Sequence, residues 1–468
     1  EESKRRLAHN VEVGVQVLDS TLDYIQANEA ELVDNQIEIF RRGAAGEPLR
    51  EIPANPDPAN YPGPDQRAAL WDEADVTGTE FPRAYLVPAG ERQSSRTDAA
   101  RLVEQLLAHG VEVQRTQADL TVDGVTYPAG SYLVDMHQPL RGLANVLLAD
   151  GSDISDKVPT MYDISAWSLG RLWGATVDRI GSTADAPLAV ATTPVDGVEL
   201  VSQVADSAYL ALQLEGVAEV QALNAMLSSG VRISSVGDGT YVIDPSGRDA
   251  AGAIASEFGV DLTATDGDLP EGASGVSALR VGYTGSNGSG DTFLALSQMG
   301  FVDPVFVNST FTDYDAIDVL YLGSNLAFDT SQAQAAGRAA LEAYLAGGGG
   351  LVGASGPVTT VGSAFDVFDA TRVTGRSDAN GIVEVDTVEG GLLSGTSEPA
   401  AFFSSPSYFS GLGENVTVEQ TWGTYLAGHW RSVTNAATPV PVPGPAEFAG
   451  QPSVISAVGP TGSRAVAF

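Results

Sequence analysis

The chain has 468 residues, 43% of them apolar, which is enough for several packed cores rather than one. Sixty aspartates and glutamates against 24 lysines and arginines give a formal charge of -36, which opposes binding to nucleic acid or to an anionic membrane surface. With no cysteine in the chain, disulfides, thiolate metal sites and a cysteine nucleophile are excluded, and no apolar run approaches the roughly 18 residues of a membrane span.

The chain opens on Glu1-Glu2-Ser3-Lys4-Arg5-Arg6 without a signal-peptide pattern. Leu7, Val11, Leu18, Leu22 and Ile25 then keep one face of a helix apolar, which predicts a helix over 3–26. Such a stripe needs burial, yet the residues after it are polar and aperiodic, so this helix is expected to belong to a domain lying mostly upstream. Residues 44–82 hold Pro53, Pro56, Pro58, Pro62, Pro64 and Pro82 and read as an extended connector.

Ala84–Pro88 reads as a strand. Leu102, Val103, Leu106 and Leu107 form a helix face that Gly110 ends, and Val111–Val113 resumes as a strand. The order β-α-β predicts a right-handed crossover. Gly124 turns the chain, and Ser131–Val134 is a further strand. The same order returns in Ala208–Leu212, the helix face Val220, Leu223, Met226 and Leu227, the stop Gly230, the strand Val231–Ile233 and the strand Tyr241–Ile243. An internal duplication is one reading; chance recurrence of a common unit is the other. Residues 249–258 are expected to be helical.

Leu279–Tyr283 begins the last section as a strand running into Gly285, Gly288 and Gly290, and Asp291–Met299 looks helical. Asp318–Gly323 is unbroken in its apolar core, as a buried parallel strand requires. Gln332–Ala346 is a helix closed by four glycines, and Leu351–Gly356 is a strand leaving into a tight turn. Residues 278–468 are therefore expected to be a doubly wound α/β domain, with added strands and loops after about 400. Arg464–Phe468 reads as a strand in mid-course, and both ends look like cuts through a longer protein.

Few residues suggest chemistry. His9, His109, His137 and His429 are far apart, and none begins the H-E-x-x-H spacing of a zinc-protease helix. Asp135 and His137 share one side of an extended segment but lack a third ligand nearby. The glycines at 285, 288 and 290 do not follow the dinucleotide spacing, and no phosphate-loop lysine follows them. Ser355, in the small-residue turn Gly353-Ala354-Ser355-Gly356, stands where an α/β hydrolase holds its nucleophile, although G-x-S-x-G is not matched. A nucleophilic Ser355 needs a base, and His429 is the next histidine. Trp422, Tyr425, His429 and Trp430 could line a polar surface pocket. Asn308 and Asn415 begin glycosylation sequons.

Glu2-Ser3-Lys4-Arg5-Arg6-Leu7-Ala8-His9-Asn10, the stretch from Ala84-Tyr85-Leu86-Val87-Pro88 to Tyr127-Pro128-Ala129-Gly130-Ser131-Tyr132, and Gln138-Pro139-Leu140-Arg141 carry a resemblance. Over its first 270 residues the chain resembles the part of secreted bacterial zinc carboxypeptidases, of the metallocarboxypeptidase A-like superfamily, that follows the catalytic domain. Residues 278–468 resemble a glutamine-amidotransferase-like domain found as a tail in some of them. The resemblance implies zinc ligands of an H-x-x-E type upstream of Glu1. His9 and His109 match that bare spacing through Glu12 and Glu112, but in the wrong sequence setting. It also implies a glutamate general base upstream, with Glu1 or Glu2 the residual candidates here. The tail has Ala354-Ser355 where an active amidotransferase carries cysteine.

The expected class is thus multidomain α/β, with small β-α-β accessory domains and a C-terminal, mostly parallel, doubly wound sheet. The expected boundaries are 1–43 for the helical end of a catalytic domain, 44–82 for the connector, 83–196 and 197–277 for the accessory segments, and 278–468 for the amidotransferase-like domain. The expected function is the non-catalytic C-terminal portion of an extracellular zinc metallocarboxypeptidase, with no cofactor in this chain and zinc in the upstream domain. Its partners would be that domain and a peptide or protein substrate, with no nucleic acid and no transmembrane segment. The alternatives are a peptide- or glycan-binding module and a serine hydrolase using Ser355.

Overall fold

The computed structural model describes residues 4, 6–47, 80–158, 161, 168–265, 269–270, 272–328, 331–395, 400–431 and 442–468. Most of the expected 44–82 connector and both Glu1 and Glu2 lie outside these residues. The chain divides into two compact units, one comprising 1–86, 106–146 and 178–195, the other 87–105, 147–177 and 196–468. Among the described residues no helix is long and apolar enough to cross a membrane.

The first unit opens with α1 (Leu7–Ala27), as the apolar periodicity predicts, and continues into α2 (Glu29–Ala44). The expectation of an aperiodic stretch after α1 is corrected here: Val33, Ile37 and Phe40 recur at helical spacing, and only Asn28 interrupts the helix.

The strands of this unit are β1 (Ala84–Val87), which follows the connector, then β2 (Gln114–Thr116) after α3 (Arg96–Ala108), β3 (Leu120–Val122), β4 (Val125–Tyr127) and β5 (Tyr132–Asp135). After α4 (Arg141–Leu148) and the short α5 (Leu169–Leu172) come β6 (Asp178–Ile180) and β7 (Thr192–Pro194). The sheet order is β6-β1-β5-β2-β7, with β3 and β4 forming a separate hairpin. Asp123 and Gly124 both take positive φ between β3 and β4, the geometry of a two-residue hairpin turn. Ala84, Leu86, Leu120, Tyr127, Leu133 and Ile180 form the core beneath.

The second unit contains a sheet of β8 (Leu210–Gln213), β9 (Ile233–Gly237), β10 (Thr240–Ile243), β11 (Thr263–Ala264) and β12 (Ser274–Val276). α6 (Val217–Ser228) joins β8 to β9, and α7 (Arg248–Phe258) follows β10. Its order, β11-β8-β10-β9-β12, matches that of the first sheet position for position. The strands joined by a helix do not pair directly, because β10 returns from β9 through the tight Asp238-Gly239 turn and inserts between β9 and β8.

The nine-stranded sheet of the same unit is mixed, in the order β14-β13-β15-β16-β23-β22-β21-β18-β19. β13 (Val281–Tyr283), β14 (Val305–Phe306), β15 (Val319–Leu322), β16 (Gly350–Gly353) and β23 (Arg464–Ala467) pair in parallel. α8 (Gly290–Gln298), α9 (Gln332–Ala346) and α10 (Ser355–Ala364) follow successive parallel strands. The expected parallel sheet is this half. The other half is antiparallel: β22 (Pro452–Val458), β21 (Val416–His429), β18 (Asn380–Thr387) and β19 (Ala400–Ser404). β17 (Thr371–Thr374) and β20 (Ser407–Ser410) form a small separate ladder, and α11 (Pro445–Phe448) precedes β22. Leu320, Leu322, Leu341, Leu345, Leu351 and Val358 anchor the parallel half, where unbroken apolar strands meet the apolar stripes of α9 and α10.

Candidate functional site

The turn from β16 to α10 has the strand-turn-helix form that presents a nucleophile in hydrolases. Gly353 makes it possible: its φ is +146°, and a Cβ there would lie 2.5 Å from the Leu322 carbonyl oxygen. Ser355 follows as the first residue of α10, 9% exposed. Its Oγ lies 2.9 Å from Ser407 Oγ, and its amide donates to the Phe468 carbonyl at 2.6 Å. A hydroxyl whose partner is another hydroxyl has no base to take its proton. His429 does not fill that role: its Nε2 lies 2.9 Å from the Val158 carbonyl, and its buried Nδ1 has no hydrogen-bond partner among the described residues.

The four aromatic and histidine candidates do come together, but not as a surface pocket. Trp422 and Trp430 are 7% and 3% exposed and His429 is fully buried. The Trp422 and Trp430 rings lie 5.7 Å apart, Tyr425 lies 5.9 Å from Trp430, and Phe448 contacts both tryptophans. The correction has a physical reason. A register shift in β21, where Tyr425 and Trp422 stand opposite Val383 and Val385 of β18, puts two rings three residues apart on one face, and edge-to-face aromatic packing fills that space with the rings themselves. The Tyr425 hydroxyl donates to Asp153 at 3.2 Å, and burial pushes its pKa well above the ordinary tyrosine value.

Asp135 and His137 are held structurally. The Arg83 guanidinium pairs with the Asp135 carboxylate, which also accepts the His137 amide at 2.7 Å, while His137 Nε2 lies 2.9 Å from the Thr183 carbonyl. Among the described residues no group of three or more histidine, cysteine, aspartate or glutamate side chains could hold a metal ion. The Asn415 side-chain amide donates to the Val367 and Val458 carbonyls at 2.9 and 3.0 Å, so its sequon nitrogen is engaged. Asn308 is exposed.

A site that sequence reasoning missed lies within the second unit, which includes residues 87–105, where the N-termini of α3 and α6 meet. Ser95 Oγ accepts the Asp98 amide at 3.1 Å and caps α3. Thr97 Oγ1 lies 3.1 and 3.2 Å from the two carboxylate oxygens of Glu219, in the first turn of α6. Asp98 and Glu219 are 4% and 5% exposed. Burial raises the Glu219 pKa to about 7, against hydrogen bonds from its own amide and Thr97 and with help from the Asp98 and Glu215 charges. Burial also raises the Asp98 pKa, against hydrogen bonds from Ser95 and the Val217 amide and the charge of Arg101. Gly216 allows this approach, since a Cβ there would lie 2.1 Å from Asp98 Oδ2.

A cavity of about 770 Å³ opens beside this junction, lined by Asp98, Arg101 and Glu104 of α3, Gln221 of α6, Phe258 at the end of α7 and Met299 after α8, among others. Its size falls in the range of small-molecule pockets. In the sequence Asp98 and Glu219 each stand three residues after a helix cap, at Ser95 and Gly216, a spacing that marks the start of each helix but not their meeting.

No protein-family model matches the chain, and no curated protein matches it. Among solved structures, a GMP synthase subunit from Thermoplasma acidophilum is similar at 15% identity over 34% of this chain and 80% of that one, with a TM-score of 0.23.

Proposed function

We propose that the chain is the non-catalytic, extracellular portion of a zinc metallocarboxypeptidase-like protein, in which its α/β domains flank a peptidase domain and restrict or position the peptide substrate. One observation carries the reading that the chain works packed against another body. No side chain of α1 is buried, and Gly43 is the sole buried residue of α2. Leu7, Val11, Leu18 and Leu22 are each more than half exposed, and so are Val33 and Ile37. Water-exposed apolar stripes of this length mark contact surfaces. The residues that carry the carboxypeptidase resemblance supply the identity of the neighbour, and the Ser355–Ser407 pairing agrees with a turn used for packing rather than chemistry. The parent's reaction would be hydrolysis of C-terminal peptide bonds by a zinc-bound water held outside this chain.

Metal analysis of the purified chain, with an assay for release of C-terminal residues from peptides, tests the proposal. The expected result is less than one equivalent of zinc and no release. One equivalent of zinc together with chelator-sensitive hydrolysis would overturn it.

A further inference from the structure

We infer that α1 and α2 dock on a protein surface with an apolar cleft bordered by lysine or arginine side chains. The inference deepens the accessory reading and rests on it, by giving the chemistry of the surface that covers these helices.

The apolar part is unusually wide. Leu7, Val11, Leu18, Leu22 and Ile25 fall on one stripe of α1, while Val13, Val17 and Tyr24 form a second stripe beside it, and all eight are exposed. Together they span about half of the helix circumference, with Asn10, Gly14 and Thr21 between the two stripes, over a length of about 31 Å. A helix so apolar is one that packs on more than one side. α2 repeats the pattern with Val33, Ile37 and Phe40, which are at least one-third exposed and share a face. The two helices do not bury these stripes against each other, since neither has a buried large side chain.

Charge decides among the possible occupants. From Leu7 to Phe40 the sequence carries seven carboxylates and no lysine or arginine. Glu12, Asp19 and Asp23 line up along α1, beside the apolar stripe, and Glu31, Asp34 and Glu38 do the same along α2. Glu38 is ion-paired with Arg41, but among the described residues Glu12, Asp19, Asp23, Glu31 and Asp34 have no such partner. A second copy of this chain would bring like-charged rows together, and an anionic lipid surface would repel them. A cationic rim satisfies both the rows and the apolar stripes.

The test uses the whole chain and an amphipathic helical peptide of leucine and lysine, about 20 residues long, with a leucine–glutamate peptide as control. Expected is saturable binding of the lysine peptide that weakens at least tenfold between about 50 and about 500 mM salt, with none for the glutamate peptide. The variant Leu18→Asn/Leu22→Asn/Ile25→Asn should lose at least tenfold, its helicity being checked by circular dichroism. Glu12→Gln/Asp19→Asn/Asp23→Asn, which leaves the apolar stripe intact, should lose the preference for lysine. Unchanged binding by this last variant would assign the affinity to the general acidity of the chain and overturn the inference. So would equal binding of the glutamate peptide, tight self-association in sedimentation, or equal binding to phosphatidylcholine vesicles. The zinc and hydrolysis assays read the accessory proposal separately, so the two can fail independently.

Discussion

Thr97 Oγ1 bridges both carboxylate oxygens of Glu219, at 3.1 and 3.2 Å, and so ties the first turn of one helix to the first turn of another. The bridge has a pH dependence with a definite sign. The Glu219 pKa is raised in the folded chain to about 7 from an ordinary value of 4.5, chiefly by burial. Between those two values the folded state binds more protons at this group than the unfolded one, so the contribution of Glu219 is fully present below pH 4.5 and is lost as pH rises through about 7. The loss is roughly 3 kcal/mol at most. Asp98, raised in the same direction, adds to it. Urea midpoints measured from pH 5 to pH 8 should fall, and Glu219→Gln, which keeps an acceptor for Thr97, should flatten the profile and be the more stable protein at pH 8. A midpoint that rises over this range would contradict the assignment.

Gly216 is required by proximity rather than by its backbone angles. Its φ of -169° suits any residue, but a methyl group at this position would overlap Asp98 Oδ2. Gly216→Ala should therefore cost about 1–3 kcal/mol, as overpacking of a closed contact does. The double variant Gly216→Ala/Asp98→Ala should recover part of the loss, because the nearest overlap is gone and only Ser95 Oγ, 2.7 Å from the added Cβ, remains. Equal losses in the single and double variants would place the strain elsewhere.

The β16–α10 turn separates a structural serine from a reactive one. Ser355→Ala should change stability by no more than about 1 kcal/mol, the net worth of one hydrogen bond. A fluorophosphonate probe should leave Ser355 unlabelled, since Ser407 is the partner of its hydroxyl. Gly353→Ala, by contrast, should lower stability by about 2 kcal/mol or more, because the added methyl meets the Leu322 carbonyl and the backbone must leave its positive φ. Labelling of Ser355 by the probe would reopen the hydrolase reading.

Local pattern made some of this legible. Gln332–Ala346 is helical over the expected residues because a single apolar periodicity runs unbroken from Ser331, which caps it, to the glycines that end it. β21 was not legible as one strand of 14 residues, because Gly423 and Gly428 divide its apolar runs. The fold explains Gly423: β18 passes so close that a Cβ there would lie 2.8 Å from the Glu384 carbonyl oxygen. The sheet's change from parallel to antiparallel, between β23 and β22, is likewise hidden, since β23 joins the parallel half only by pairing with β16, about a hundred residues earlier. Asp98 and Glu219 look in sequence like ordinary acids in a first helical turn. Only the meeting of the two helices buries them.

Arg376 gives the last prediction. Its side chain has no exposed surface and is paired with Asp378, which is 22% exposed. The Arg376 hydrogen bonds hold the Asp378 pKa below its ordinary value of 3.8, so the contribution of the pair is present above that value and is lost as pH falls further. Asp378→Ala removes the carboxylate that pairs with the buried Arg376 guanidinium, and breaking a buried pair from one side costs about 3–5 kcal/mol. Asp378→Asn retains a hydrogen-bond acceptor and should cost less. Arg376→Met removes the charge together with its desolvation penalty and should be the mildest of the three, because a buried pair can often be replaced by apolar packing at little cost. Thermal unfolding of the three variants orders them. If Arg376→Met proves as damaging as Asp378→Ala, the guanidinium holds the β17–β18 connection through contacts that an apolar side chain cannot replace.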